Sequence, residues 1–336
     1  MHEALLYERQ PDGRVQCHLC PHACRIDDGA RGLCQVRENR AGTLYSLAYG
    51  RTTVQHVDPI EKKPLFHFYP GTSTYSLATH GCNFHCQYCT NWQVSQMPSA
   101  AFPGASIEAT PETIVAAAQQ AGCRSLAYTY VEPTIFFEYA HDIARLAHAA
   151  GLANVYKTNG FMSTAMLDLA RPYLDAANVD LKTFREATYQ RLGGRLQPVL
   201  DSLCHMRALG IWLEVSTVVI PGVNDEDAEL RDIAAFIAEA LGCDTPWHIA
   251  RFFPAYHMAQ VPPTPLATLH GALAIGHAAG LRYVYLGNVL EEGAQDTSCA
   301  VCGRVLLKRW GARLRENALH HGGCMACSTP LPGIGC

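Results

Sequence analysis

Between residues 71 and 290 the apolar positions fall into two alternating kinds of stretch. Short continuous runs at Thr74–Thr79, Ser125–Tyr130, Asn154–Thr158, Ala177–Lys182, Trp212–Ile220, Trp247–Phe253 and Arg282–Leu286 read as strands of the buried parallel type. Longer stretches with helical character lie between them, at Ile114–Gln120, Ile135–Ala150, Pro198–Leu209, Asp225–Leu241 and Pro265–Ala279. The first opens on Thr110-Pro111-Glu112, a cap residue, a first-turn proline and an early acid. Each of these stretches is followed by a glycine (Gly122, Gly151, Gly210, Gly242, Gly280), as helix ends favour a residue that tolerates the left-handed conformation. Alternating strands and helices predict a parallel sheet with crossover helices. Six or seven such units predict an α/β fold, a partial (β/α)6-type TIM-like barrel.

Functional residues of such folds gather at the carboxyl ends of the strands. Here those ends carry Gly81-Cys82-Asn83-Phe84-His85-Cys86-Gln87-Tyr88-Cys89, then Tyr130-Val131-Glu132-Pro133-Thr134, Thr158-Asn159-Gly160 and Asp180-Leu181-Lys182. The later strands end in Val219–Asp225, Pro254-Ala255-Tyr256-His257 and Gly287-Asn288. Each alone reads as a turn former or a helix cap. A polar or glycine motif at every end is more than a structural barrel requires.

The flanks differ from this middle. Residues 1–70 read as a cysteine-rich extension and linker, 71–290 as the barrel, and 291–336 as a ribbon-like segment. Cys17, Cys20, Cys24 and Cys34 are spaced C-x2-C-x3-C-x9-C, which suits a zinc ion or an auxiliary iron–sulfur cluster and does not choose between them. Tyr45–Val57 is rich enough in β-branched and aromatic residues for a hairpin. Asp58–Gly71, with three prolines, reads as an extended, charged linker ending in an aromatic cluster, either a packed connector or, since it runs directly into the strand before the cysteine loop, a lining of the site mouth. Cys299, Cys302, Cys324 and Cys327 form two C-x2-C pairs close to a zinc ribbon, with an iron–sulfur cluster as the second reading and a rubredoxin-like iron as the third, and Val305–Trp310 reads as a ribbon strand between them. His320 and His321 find no vacancy beside two complete pairs. Cys123, Cys204, Cys243 and Cys336 read as buried or free thiols.

Composition narrows the class. The chain has 336 residues and 15 cysteines, most of them in three short-spaced groups, which points to metal ligation rather than disulfides. A net charge of −4 gives no electrostatic reason to expect nucleic acid or an anionic membrane as partner. With no long apolar run and no signal-peptide pattern at Met1–Leu5, the expectation is a cytoplasmic protein.

The loop at 82–89 is the one incomplete cysteine group. Its C-x3-C-x2-C spacing supplies three thiolates where iron–sulfur clusters usually take four, leaving one iron of a [4Fe–4S] cube open. In its strand context this loop resembles that of the radical S-adenosylmethionine (SAM) superfamily. The likeness extends to the pyruvate formate-lyase-activating enzymes and the AmmeMemoRadiSam system radical SAM enzymes. It also rests on Cys-x2-Cys-Pro-His-x-Cys at 17–24, the run at 58–68, Tyr-Thr-Tyr-x-Glu-Pro-Thr at 128–134 and Phe-Phe-Pro-Ala-Tyr-His at 252–257. The resemblance implies that Cys82, Cys86 and Cys89 hold the cluster and that SAM chelates the open iron. It further implies that an electron from the cluster splits SAM to a 5′-deoxyadenosyl radical. By the same resemblance Tyr88 packs near the adenine, Glu132 meets the amino group, Asp180 and Lys182 lie by the methionine moiety, His257 follows the sixth strand, and Thr158 and Asn159 line the pocket. The family's Gly-Gly-Glu is here Tyr130-Val131-Glu132, without the glycines. The implied partners are a reductant such as flavodoxin or ferredoxin and a small-molecule, peptide or protein substrate. Two other readings stand beside this one. One is a glycyl-radical enzyme activase acting on a partner protein, which the lack of a cysteine-rich insertion between Cys89 and the second strand disfavours in its long form. The other is a non-enzymatic zinc-binding interaction protein.

Overall fold

The computed structural model describes residues 1–96 and 106–336. Eight strands form the central sheet: β1 (Val54–Pro59), β2 (Ser73–Ala78), β3 (Ser125–Tyr128), β4 (Ala153–Thr158), β5 (Ala176–Asp180), β6 (Trp212–Val219), β7 (Trp247–Arg251) and β8 (Val284–Gly287). They lie side by side in chain order, with β1 and β8 at the two edges. β2 to β8 are mutually parallel, and β1 pairs antiparallel with β2 from Val54 opposite Ala78 to Pro59 opposite Ser73. The partial barrel expected from the alternation is present, with seven parallel strands.

Helices cover the outer face. Thr110 caps Pro111–Gln120, its side chain accepting from the Thr113 amide. Phe137–Ala149 buries Phe137, Tyr139, Ala140 and Ile143 on its inner face. Leu196–Ala208, Asp227–Phe236 and Leu266–Ala278 follow the later strands. The helix expected at 225–241 is α-helical only to Phe236 and finishes as a π turn at Ile237–Leu241. Two further helices, Thr164–Ala170 and Glu186–Arg191, are too short to show a helical period in the sequence.

One expectation for the N-terminal part fails. Tyr45–Val57 is not a hairpin. Thr43–Ser46 pairs with Arg37–Arg40 and His2–Glu3, Arg51–Thr52 pairs with Ile107–Glu108, and Val54–Pro59 joins the barrel sheet. Residues 58–71, by contrast, form a packed connector, one of the two readings of this segment. Asp58, Glu61, Lys63, Phe66, His67 and Phe68 are all buried. Proline is tolerated because Pro59 ends an edge strand, where its missing donor costs no ladder bond. The charges are tolerated because they are paired: Asp58 accepts from Lys62 at 2.8 Å and Lys63 at 2.7 Å.

This segment is pinned to the sheet by Glu214 of β6. Its buried carboxylate accepts from the Phe66 and His67 amides at 2.9 and 2.8 Å and faces His248 of β7 at 2.6 Å. The C-terminal ribbon, Thr297–Ser298, Val305–Trp310 and Arg313–Asn317, packs on the same place. Phe66, Tyr283, Tyr285, Leu306, Leu307 and Leu331 share a small apolar core with Cys299 and Cys324. Arg309, from the ribbon, donates to the Phe66 carbonyl at 2.7 Å. At the other end, buried Arg37 of the N-terminal extension pairs with Glu138 of the helix Phe137–Ala149 at 2.8 Å. Among the described residues no helix is long and apolar enough to cross a membrane.

Candidate active site

The carboxyl ends of the parallel strands surround a cavity of about 750 Å3. The loop after β2 brings Cys82, Cys86 and Cys89 to its wall. Gly81 makes this loop possible. It has φ +89°, and a Cβ there would stand 2.5 Å from the Cys34 carbonyl oxygen. Phe84 is the loop's anchor, buried against Phe161 and Tyr189. The Phe84 amide points at Cys82 Sγ from 3.5 Å, and Cys89 Sγ lies 3.2 Å from the Ser95 hydroxyl. Burial pushes the Cys82 thiol well up and Cys86 up to about 11. Thiolates in this wall therefore need a metal's charge to balance them.

Glu132 sits between the ends of β3 and β4 and is fully enclosed. Its carboxylate accepts from the Thr134 amide and hydroxyl, the Thr158 hydroxyl and the Asn159 amide, at 2.7 to 3.1 Å. Burial raises its pKa and the four donors oppose the rise. Asn159 in turn donates to the Asn83 side chain at 2.8 Å, linking the third strand end to the cysteine loop.

Asp180, at the end of β5, stands between two lysines. Lys157 of β4 donates to one oxygen, and Lys182 lies 3.2 Å from the other. Burial works to raise the Asp180 pKa, but Lys157 and Lys182 bring it down to about 2. Lys182 Nζ also lies 5.8 Å from the centre of the Tyr88 ring.

Of the residues singled out in the sequence, Tyr88, Glu132, Thr158, Asn159, Asp180 and Lys182 line the cavity with the three cysteines. His257 does not. It is exposed, because Tyr256 takes φ 50° and starts the short turn Tyr256–Met258, which leaves only the His257 amide facing the loop, 2.9 Å from the Gln87 carbonyl.

Several lining residues escaped the sequence reading. Lys157, Ser216 and His248 stand inside strands read as plain apolar runs. Asn178 bridges Lys157 at 2.6 Å and Ser216 at 2.7 Å, so the barrel's interior is a hydrogen-bonded polar ladder. The signal was a polar residue at every second position, Asn178 then Asp180 and Glu214 then Ser216, which is the period of one strand face. At the mouth, Tyr130 takes φ 67° and its hydroxyl donates to Asp58, while Lys63 Nζ lies 4.8 Å from the centre of its ring. The 58–63 segment thus forms part of the cavity wall.

The donor set fits an iron–sulfur cube with one open iron. Three thiols meet a polar cavity, and no fourth cysteine lines it among the described residues. The C-terminal group is different. Its sulfurs all lie within 4.8 Å of one another, with Cys299–Cys327 at 3.5 Å and Cys302–Cys324 at 3.6 Å. Four thiolates at about 2.3 Å from one tetrahedral ion stand about 3.8 Å apart, so this group fits a single ion. His320 and His321 are exposed and take no part.

Comparisons with known proteins bear on this site. Residues 76–234 match the Radical SAM superfamily. An uncharacterised protein of Methanocaldococcus jannaschii is 43% identical over 310 residues, 92% of each chain. A second protein of that archaeon, whose name proposes it as a glycyl-radical enzyme activating enzyme, is 25% identical over 53% of this chain and 66% of its own length. A GTP 3',8-cyclase of Picosynechococcus is 27% identical over 50% of this chain and 51% of the cyclase, so the chain spans about half of that relative. Among solved structures, a radical SAM methyltransferase from Sphaerobacter thermophilus superposes with a TM-score of 0.50 at 17% identity, over 71% of each chain, a likeness of fold.

Proposed function

The chain belongs to the radical SAM superfamily, and on that premise we propose that it cleaves SAM reductively at a [4Fe–4S] cluster held by Cys82, Cys86 and Cys89. The observation that carries this reading is the meeting of three loop thiols, and no fourth, with a polar cavity among the described residues. When bound, the cluster and SAM supply a 5′-deoxyadenosyl radical that abstracts hydrogen from the substrate.

The protein's own residues hold and orient. Glu132 locks Thr134, Thr158 and Asn159 into one wall and presents negative charge toward SAM's amino group. Asp180, kept ionised by Lys157 and Lys182, serves the same cationic end, and Lys182 is available to a carboxylate. Tyr88, beside Lys182, offers a flat face for the adenine. About 750 Å3 is near the upper end for a site taking one drug-sized ligand, which leaves room for substrate beside SAM. The ribbon cysteines hold a structural zinc ion. A cytoplasmic one-electron donor such as flavodoxin or ferredoxin supplies the reducing electron.

The relative named for glycyl-radical enzyme activation supports a second reading, in which the substrate is a glycine of a partner protein. A glycyl radical signal formed on that partner, dependent on this chain and SAM, would establish it.

The test of the main reading is anaerobic. The purified, reconstituted chain is reduced in the presence of SAM and the products are separated. 5′-Deoxyadenosine is expected from the wild type and not from Cys82→Ala. Equal rates from both would exclude the loop as the site.

A further inference from the structure

Cys17, Cys20, Cys24 and Cys34 all line one small pocket, shared with Ile26, Arg37 and Asn83. None of the four is in a disulfide, and Cys17 is buried at the end of the strand Val15–Cys17. The segments around them are held by buried Asn39, whose side chain donates to the Gly13 and Ile26 carbonyls and accepts from the Gly42 amide.

The spacing of the sulfurs is informative. The ribbon's four thiols close to within 4.8 Å of one another, as ligands of a single ion must. Among the described residues, neither the N-terminal thiols nor the three loop thiols at 82–89 form such a single-ion set. A cube with an iron at each of four corners holds its thiolates farther apart than one ion does. The N-terminal quartet, like the loop, is not gathered as the ligands of one ion are, and it has the one thiol more that completes a cube.

A second, independent observation concerns charge. Arg37 is 2% exposed and lines the pocket. Its two terminal nitrogens are taken, one by Glu138 at 2.8 Å and one by the Leu5 carbonyl at 2.5 Å, but its buried Nε has no hydrogen-bond partner. The Arg37 charge is met by Glu138, but a buried guanidinium N–H left without a partner beside four thiols calls for an acceptor, and a thiolate-ligated cluster supplies one.

The pocket abuts the SAM-cluster loop. His22, between Cys20 and Cys24, lies 2.8 Å from the Asn83 carbonyl, next to Cys82. Asn83 lines the pocket with its neighbours and accepts from Asn159 of the large cavity. The Cys34 carbonyl is the atom that excludes a side chain at Gly81.

We propose that Cys17, Cys20, Cys24 and Cys34 hold a second [4Fe–4S] cluster, fully ligated by protein and seated behind the 82–89 loop. With all four irons ligated it offers no place for SAM, and its role is electron exchange next to the cluster that has one. The test does not depend on SAM cleavage, so this site can stand or fall separately from the proposed function.

The full chain carrying Cys82→Ala, Cys86→Ala and Cys89→Ala together is reconstituted anaerobically with iron and sulfide in the presence of zinc. Iron, sulfide and zinc are counted, and the iron is examined by Mössbauer spectroscopy. About four irons and four sulfides per chain are expected, with the spectrum of a [4Fe–4S] cluster. Adding Cys17→Ser and Cys34→Ser should remove them while the ribbon keeps its zinc, which reports that the chain is still folded. Two zinc ions per chain and no sulfide in the first variant would overturn the proposal. So would iron and sulfide that survive the loss of Cys17 and Cys34.

Discussion

The loop at 82–89 and the ribbon at 299–327 use the same side chain to opposite ends. The ribbon converges four thiols to 3.5–3.6 Å contacts around its antiparallel strands, a complete set for a single ion. The loop places three thiols at the wall of a cavity, with the next donors being carboxylates and amines from other strands. A closed set contributes to folding, because ligand binding adds to the stability of the folded state. An open set leaves coordination for a substrate or cofactor to complete. What separates them is the fourth cysteine and the element that carries the set: a ribbon that pairs with itself, against the carboxyl end of a parallel strand, where neighbouring strand ends supply the remaining chemistry.

The sharpest way to break this comparison is to remove one thiol from each. Cys86→Ala should abolish 5′-deoxyadenosine formation, to the background rate, while zinc at the ribbon stays at about one per chain. Cys302→Ser should do the reverse. It should release the zinc and lower the thermal midpoint by on the order of 10 °C, since the ribbon packs on Phe66 and Tyr285, while the loop's iron remains. If Cys302→Ser removed the iron and left the midpoint unchanged, the division of roles would be wrong.

A smaller effect is expected in the cavity wall. Asp180→Asn leaves Lys157 and Lys182 facing each other without their shared anion. The variant should lose about 2 kcal/mol of stability in denaturant melts, below the cost of breaking a fully buried pair because the site opens on the cavity. SAM should bind it about tenfold more weakly in equilibrium titration, which corresponds to one lost charge-assisted contact.

The joint between barrel and ribbon should show itself through pH. His67 is fully buried, 2.7 Å from the Pro332 carbonyl and 2.6 Å from the Tyr285 hydroxyl. Burial lowers its pKa from 6.5 to about 4, against the pull of nearby Glu214. Between those two values the unfolded chain binds a proton that the folded chain does not, so stability should fall as pH drops through that window. The slope from this residue is at most about 1.4 kcal/mol per pH unit. Comparing urea midpoints at pH 7 and 5, His67→Asn should lose this part of the dependence. The least effect is expected at exposed Cys243, where Cys243→Ser should leave stability within about 0.5 kcal/mol and activity unaltered.

Much of this architecture can be read in the chain. The seven parallel strands follow from apolar runs separated by capped helices, and Thr110 and Gly122 mark the ends of one helix as written. The cysteine loop stands out because its spacing is short and its number is odd. The polar interior of the barrel was harder to see. Asn178 pairs with Ser216, and Glu214 with His248, across strands that are far apart in sequence, and nothing local marks them as partners. Residues 58–68 stayed open between a packed connector and a lining of the site mouth for a related reason. Proline and charge usually indicate a surface, but here the charges are paired internally and the segment is held by Glu214, some 150 residues away. His257 was placed by its position after a strand, which does not determine where a side chain points once the backbone turns at Tyr256.

The central claim is that the 82–89 loop leaves one iron for SAM to complete. It is tested most directly by magnetic resonance on the reduced protein with SAM labelled in its carboxylate and amino groups. A hyperfine coupling from the labelled atoms to a reduced [4Fe–4S] cluster, present in the wild type and lost in Cys86→Ala, is the predicted result. A wild-type cluster that reduces normally and shows no coupling to bound, labelled SAM would contradict it.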